Sequence, residues 1–483
     1  MAITVQGKPD KLRPVYNPIV FYVSSTNVAQ EGFKYVVDVY YAGTSNRIGT
    51  SIKLFPRPGD QYGVVDLNQL LQSEVTYFID QTLQTTAVTP ENFVNYDVKF
   101  GEEYVNKWAY TSKSNNAGKL RLIGPSGHGF TNGDIVNIEG SGVTPSPNGN
   151  YKVLFSTATT VTLDLTYSAS FDDTGIMQFA NGQKTVYPAL TTLSDYTAFN
   201  GAVKYQELSA YNGEDYDVAG YGTYHTGKFL TNAPNDNILN LTSYRVRKEN
   251  DIWLNYYSSN MAESINVFVT TDNITNHLAY SIPASSSKMR TINVGVDAII
   301  AALGSSAIFT GKDWYQVWVT DEYDVNISEF RSFRIEDFCS RYENVELYFQ
   351  DRLGSIMPAN FQLQSYRNNN ISRTEYNKYL GNLVNPGASG KWDFDSTARG
   401  RVVLNTQMKE TLALNSNWLT EEEAYYLREL YSSPVVFIKE NGKLWPVIIQ
   451  DTSYAVTTKN NKKMIRNTIT VQYAVDSAIQ QGY

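Results

Sequence analysis

Polar and apolar positions alternate over much of this chain with the two-residue period of strands half-buried on one face. Phe33-Lys34-Tyr35-Val36-Val37-Asp38-Val39-Tyr40-Tyr41 and Ile19-Val20-Phe21-Tyr22-Val23 are β-rich runs, broken by Asn, Gln and Gly. Short strands separated by tight turns predict an antiparallel, Ig-like sandwich over residues 1–110, with one helical turn at Asp66–Leu71. From Lys119 to Phe179 the runs shorten. Leu120–Ile123, Asp134–Ile138, Tyr151–Phe155 and Thr160–Leu165 read as strands, with turns at Asn132-Gly133-Asp134, Gly140-Ser141-Gly142 and Pro147-Asn148-Gly149-Asn150. The Ser/Asn/Gly-rich stretch Thr111–Gly118 precedes them, so residues 111–185 are expected to form an inserted small β-barrel module.

Sandwich texture returns over 186–338, most clearly at Ile265–Val269 and Trp314–Val319, and Val296–Leu303 predicts a short buried helix. Residues 339–483 are expected to be β-rich around one amphipathic helix at about 420–431. Thr420-Glu421-Glu422-Glu423 has the form of a capping box, in which Thr420 accepts from the amide of Glu423 and Glu423 reaches back. Ala424, Leu427, Leu430 and Tyr431 then fall on one face, and Ser432-Ser433-Pro434 ends the run. Strands follow at Val435–Ile438, Leu444–Ile449 and Thr468–Tyr473. The fold class is therefore mainly β: several antiparallel β-sandwich or small β-barrel modules with few short helices.

Composition narrows the function classes. The chain has 483 residues and a formal net charge of −8, which disfavours wrapping nucleic acid or an anionic membrane. The densest basic cluster, Arg245-Val246-Arg247-Lys248, is followed at once by Glu249 and Asp251 and reads as a solvated strand end or an interface contact. One cysteine, Cys339, excludes an internal disulfide framework and reads as a structural thiol. No basic start followed by an apolar run opens the sequence, and Val294–Leu303 is too short to span a bilayer, so synthesis in a reducing cytoplasm without membrane insertion is expected.

Catalytic patterns fail one by one. Gly124-Pro125-Ser126-Gly127-His128 misses the last glycine of a nucleophile elbow. Gly390-Lys391 lacks the earlier glycine, with Asn385 in its place, and has Trp392 where a phosphate loop needs Ser or Thr, so it reads as loop. His128, His225 and His277 are scattered, and Phe171-Asp172-Asp173-Thr174-Gly175 reads as a tight turn, so no metal, cofactor or catalytic residue is assigned. Acidic pairs for glycoside cleavage are too common among 48 Asp and Glu to single one out, which leaves a polysaccharide-degrading enzyme as a third reading. The 36 tyrosines and seven tryptophans instead suit contact surfaces, with Trp314, Trp318, Trp418 and Trp445 as candidate interface or ligand-contact aromatics. Strand alternation puts Trp314, Gln316 and Trp318 on one face, which favours packing over sugar stacking.

Gly127-His128-Gly129-Phe130-Thr131-Asn132-Gly133-Asp134-Ile135-Val136, then Asn148-Gly149-Asn150-Tyr151-Lys152-Val153 and Thr159–Leu163, resembles a small β module that recurs in tailed-bacteriophage virion proteins. The loop residues His128, Phe130 and Asn132 are its candidate contacts. The stretch Trp418 to Ile449, with Leu430-Tyr431-Ser432-Ser433-Pro434, is similar to tail or neck proteins of Bacteroidetes-infecting and crAss-like phages. The resemblance implies a structural virion protein made in the host cytoplasm and assigns no position within the virion; together with the aromatic contact surfaces it leads to the expectation of a ring-forming subunit of tail, neck or baseplate that self-associates and docks other tail or neck proteins. The acidic charge balance leads to the expectation of no specific nucleic-acid binding. The alternative is a module that binds a host receptor or surface glycan, as in an adhesin or tail fibre.

Overall fold

The computed structural model describes residues 3–79, 82, 85–88, 90–105, 107–144, 146–180, 184–186, 192–219, 226–235, 243–259, 264–272, 274–284, 287–336, 341–379, 382–384, 390–393, 400–454, 465–475 and 478–481. Internal contacts divide the chain into two compact units, Met1–Glu74 with Val94–Phe199, and Val75–Phe93 with Asn200–Tyr483. The fold is mainly β, as the alternation predicts, and nearly all strand pairs are antiparallel. Among the described strand pairs, Leu12–Pro14 with Thr192–Phe199 and Tyr244–Val246 with Arg331–Ile335 are parallel.

In the first unit, a three-stranded sheet (Ile3–Gly7, Val20–Ser25, Gly63–Asp66) faces a six-stranded one built around Lys34–Tyr41 and Phe93–Tyr104. The sheets meet through Phe21, whose ring lies 5.8 Å from Phe100 and 5.4 Å, edge-on, from Tyr196. The expected helical turn is there as Asn68–Gln72. A separate seven-stranded sheet follows in the same unit. It runs Ser112–Asn116, Lys119–Ile123, Thr160–Thr166, Gly149–Ser156, Ile135–Glu139, Gly175–Phe179, Trp108–Tyr110. Only Thr111 separates the two edge strands in sequence, yet they end opposite edges of the order. The sheet must therefore curl round on itself, and Thr111 helps by donating its N–H to Ile123 O (2.8 Å). Its own core holds Trp108, Leu122, Phe130, Val136, Val161 and Met177.

The second unit packs a five-stranded sheet, containing Ile265–Thr270 and Trp314–Thr320, and an eleven-stranded sheet around one core. Val267, Tyr315, Val317 and Phe333 come from the smaller sheet, and Leu254, Leu347, Phe349 and Met357 from the larger. The helix Val296–Leu303 buries Val296 and Ile299 in that core and stops at Gly304, whose φ of 67° is the left-handed conformation suited to glycine. The helix Glu421–Ser432 carries the expected capping box and turns Ala424, Leu427 and Leu430 inward, with Tyr431 half-buried. Among the described residues no helix is long and apolar enough to cross a membrane.

Candidate assembly surfaces

Trp314, Gln316 and Trp318 share the face of their strand that points away from the main core, since Tyr315, Val317 and Val319 fill the inner one. That outer face is itself covered. Trp318 is 5% exposed, stacks on Phe268 at 5.8 Å and meets Phe330 at 5.1 Å, while Gln316 Nε2 donates to Ser332 Oγ at 2.8 Å. Trp314, at the strand end opposite Arg334, is half-buried. Trp418 and Trp445 stand apart from these, 52% and 49% exposed, and make no ring contact among the described residues.

The loop of the curled sheet is tied inward. His128 is buried, with Trp108 at 5.0 Å and Phe130 stacked at 5.4 Å. The Phe130 N–H donates to His128 Nδ1 (3.0 Å), which leaves the ring proton on Nε2, facing Thr157 O at 2.6 Å. Phe130 is buried edge-on against Phe179. Asn132 is exposed, but its Oδ1 accepts from the Ser156 N–H at 2.9 Å. Each of the three fastens the loop to the sheet. Of the candidate residues only His128 and Phe130 touch one another by their rings. Asp172 likewise joins turns, accepting from Ser141 Oγ at 2.8 Å and Gly142 N at 3.2 Å. His225, Cys339 and Asn385 lie outside the described residues.

Two expectations need correction. Arg245 is not a solvated strand end: its guanidinium pairs with Glu423 and, at 2.7 Å, with Glu336, and donates to Trp418 O at 2.7 Å. Burial would lower its pKa, but the two carboxylates outweigh this and raise it. Lys391, read as loop, begins the strand Lys391–Asp393, which pairs with Asn382–Val384.

The buried acids are committed to structure. Asp351 Oδ2 accepts from Thr231 Oγ1 at 2.5 Å and Asn232 N at 3.0 Å, and Oδ1 from Leu353 N and Ser355 N at 3.0 and 3.1 Å. Burial first, then the charge of Glu429, pushes its carboxyl up to about 7 against those hydrogen bonds. Glu429 is gripped by Arg352 through Nε at 2.7 Å and through the backbone N–H at 3.0 Å.

The surface that sequence reasoning missed is a long hairpin. Tyr366–Asn377 pairs along its whole length with Arg401–Asn415, and all twelve of its residues are exposed. It ends the eleven-stranded sheet, so among the described residues no strand pairs with its outer edge. The ladder shifts between Thr374 and Glu375, opposite Asn405 and Val403, which leaves Leu404 of the inner strand as the extra residue. The outer strand itself is regular, without Pro or Gly.

No family model matches the sequence, and no curated protein matches it. Among solved structures it is similar to the phage phi92 endosialidase, at 10% identity over 99% of this chain and 69% of that chain, with a TM-score of 0.17. It is also similar to a tetra-tandem repeat in the extending region of a large adhesion protein, at 9% identity over 86% of this chain and 94% of that chain, with a TM-score of 0.12. At these TM-scores neither likeness carries anything over to this chain.

Proposed function

We propose that this chain is a structural protein of a tailed-phage virion, a ring-forming subunit of tail, neck or baseplate that works by self-association and by docking neighbouring tail proteins. The hairpin strand Tyr366–Asn377, exposed along its full length, is the observation that carries this reading. A ribbon exposed on its faces recovers little of the entropy of ordering it, and an open edge invites another chain. Such an arm makes sense where a neighbour completes it. The resemblance of Gly127–Leu163 to a recurrent virion module supports the same setting. Native mass spectrometry of the purified protein and electron microscopy of particles labelled at the exposed turn Ala117–Gly118 test the reading. A closed oligomer and a fixed position on particles are expected; a monomer absent from particles would end it.

The exposed indoles of Trp418 and Trp445 favour a second reading, a module that binds host-surface glycan. Glycan-array binding lost in Trp418→Ala or Trp445→Ala is its signature.

A further inference from the structure

The outer strand of the hairpin is complementary to itself. Read outward from Ile371, the sequence Tyr366-Arg367-Asn368-Asn369-Asn370-Ile371-Ser372-Arg373-Thr374-Glu375-Tyr376 matches partner for partner when an antiparallel copy is laid against it. Ile371 then faces Ile371, Asn370 faces Ser372, Asn369 faces Arg373, Asn368 faces Thr374, Arg367 faces Glu375 and Tyr366 faces Tyr376. The three exposed apolar side chains of the strand, Tyr366, Ile371 and Tyr376, are the ones this register brings together. We propose that the outer edge of Tyr366–Asn377 pairs with the same edge of a second copy of this chain, across a two-fold axis through Ile371.

Symmetry narrows the choice of register. A two-fold axis perpendicular to the sheet keeps each face on its own side, so odd residues can oppose only odd ones and even only even. The nearest allowed slips are then two-residue steps. One puts Asn370 on the axis and sets Arg367 against Arg373 twice. The other puts Ser372 on the axis, sets Ile371 against Arg373, and separates both the aromatic and the charged pairs. A parallel, in-register pairing would set Arg367 against Arg367. Only the register centred on Ile371 joins opposite charges and like apolar groups. Directly opposed pairs of these kinds stabilise a sheet and like charges weaken it.

The local charges extend the match. Arg367 already meets Glu410 and Glu440, and Glu375 meets Arg401 at 3.4 Å, but both side chains keep an exposed side. Edge pairing would place them in an alternating row: Glu410, Arg367, then Glu375 and Arg401 of the second copy. Edge strands are ordinarily guarded by proline, a bulge or an inward charge. Here the strand has no proline, the extra residue sits on the inner strand, and the charges are arranged to fit a copy. This inference rests on the self-association reading and gives it a surface. Because a two-fold contact joins subunits only in pairs, ring closure would use a second surface, and the two together would build a dihedral assembly.

The test uses the full-length protein in sedimentation velocity. Arg367→Glu alone sets Glu against Glu375 of the second copy, and Glu375→Arg alone sets Arg against Arg367. Each variant is expected to dissociate at concentrations about tenfold above those at which the wild type does. Mixing the two variants in equal amounts restores both pairs at once and is expected to recover the wild-type mass, a rescue that misfolding would not give. Ile371→Cys in a Cys339→Ser background is expected to form a disulfide dimer on mild oxidation, while Asn368→Cys is not. Single variants with wild-type mass, or a mixture that stays dissociated, would overturn the edge pairing and leave self-association standing. A wild type that is monomeric throughout overturns the edge pairing, and its presence in or absence from particles then decides the virion reading separately.

Discussion

The guanidinium of Arg245 closes on Glu423, the same carboxylate that completes the capping box of the helix Glu421–Ser432. Glu423 thus holds the helix start twice. It accepts from the Thr420 N–H at 2.8 Å, and it is tied to the strand Tyr244–Val246 from 178 residues earlier in the chain. Thr420→Ala removes one cap hydrogen bond and is expected to cost about 1 kcal/mol. Glu423→Ala removes the cap and leaves the half-buried Arg245 with one carboxylate, Glu336, and the Trp418 carbonyl, at a cost of about 3 kcal/mol. Glu423→Gln should fall between them, since the amide still caps. Urea midpoints of the three variants, compared at equal slope, check the order.

Asp351 gives a pH dependence of known sign. In the folded chain it holds its proton to about pH 7, whereas an unfolded aspartate gives it up near pH 4. Between these values the folded state binds more protons, so this group's contribution to stability falls as pH rises through that window. Asp351→Asn removes the titration. Its absolute stability should drop at every pH, because one of the two oxygens that accept from the surrounding donors becomes an NH2 group that faces them. The slope is the readout: between pH 5 and pH 8 the wild type should lose about 2–3 kcal/mol more than the variant does. Urea unfolding at the two pH values measures it.

The legible elements are those that burial or a local hydrogen-bonding pattern marks in the sequence. Trp314–Thr320 could be read because its inner and outer faces are both covered, one by the core and one by Phe268 and Phe330. Val296–Leu303 and the capping box of Thr420 and Glu423 were legible because their signals are local. Tyr366–Asn377 was not, for the opposite reason: with every residue exposed, burial imposes no alternation on its sequence. Its self-match about Ile371 is the one sequence signal it has, and that emerges only once the strand and its open edge are known. The role of Arg245 was hidden by distance along the chain, since nothing near it names Glu423 as its partner. The sequence places His128 in a loop, and only the rings of Trp108 and Phe130 around it reveal it as a fastening of that loop.

The tryptophans separate packing from contact. Trp318→Ala empties space against Phe268 and Phe330 and is expected to cost about 3–5 kcal/mol, with a lower melting temperature. Trp418→Ala and Trp445→Ala remove half-exposed rings and should change stability by less than about 1 kcal/mol. Differential scanning calorimetry distinguishes them. On the self-association reading, glycan-array signals of Trp418→Ala and Trp445→Ala should equal those of the wild type; a selective loss would favour the glycan-binding reading.

Gly175 opposes Tyr110 where the edge strand Trp108–Tyr110 joins the curled sheet. A methyl group on Gly175 would overlap the Tyr110 hydroxyl oxygen and lie 2.6 Å from the ring carbon that bears it. The ring is fully buried in the sheet's own core, so it has no free space to move into. Gly175→Ala must therefore push the strand Gly175–Phe179 away from Trp108–Tyr110, or force Tyr110 off its rotamer. Either response should cost about 1–3 kcal/mol. Tyr110→Ala combined with Gly175→Ala removes the clash but leaves a cavity, so the double variant should be less destabilised than the sum of the two single ones. Amide hydrogen exchange over residues 108–179 reads the effect locally: protection should fall along both strands of this pair in Gly175→Ala and stay unchanged in the sandwich strand Lys34–Tyr41. Equal loss of protection in the two sheets would mean that the curled sheet does not open independently of the sandwich.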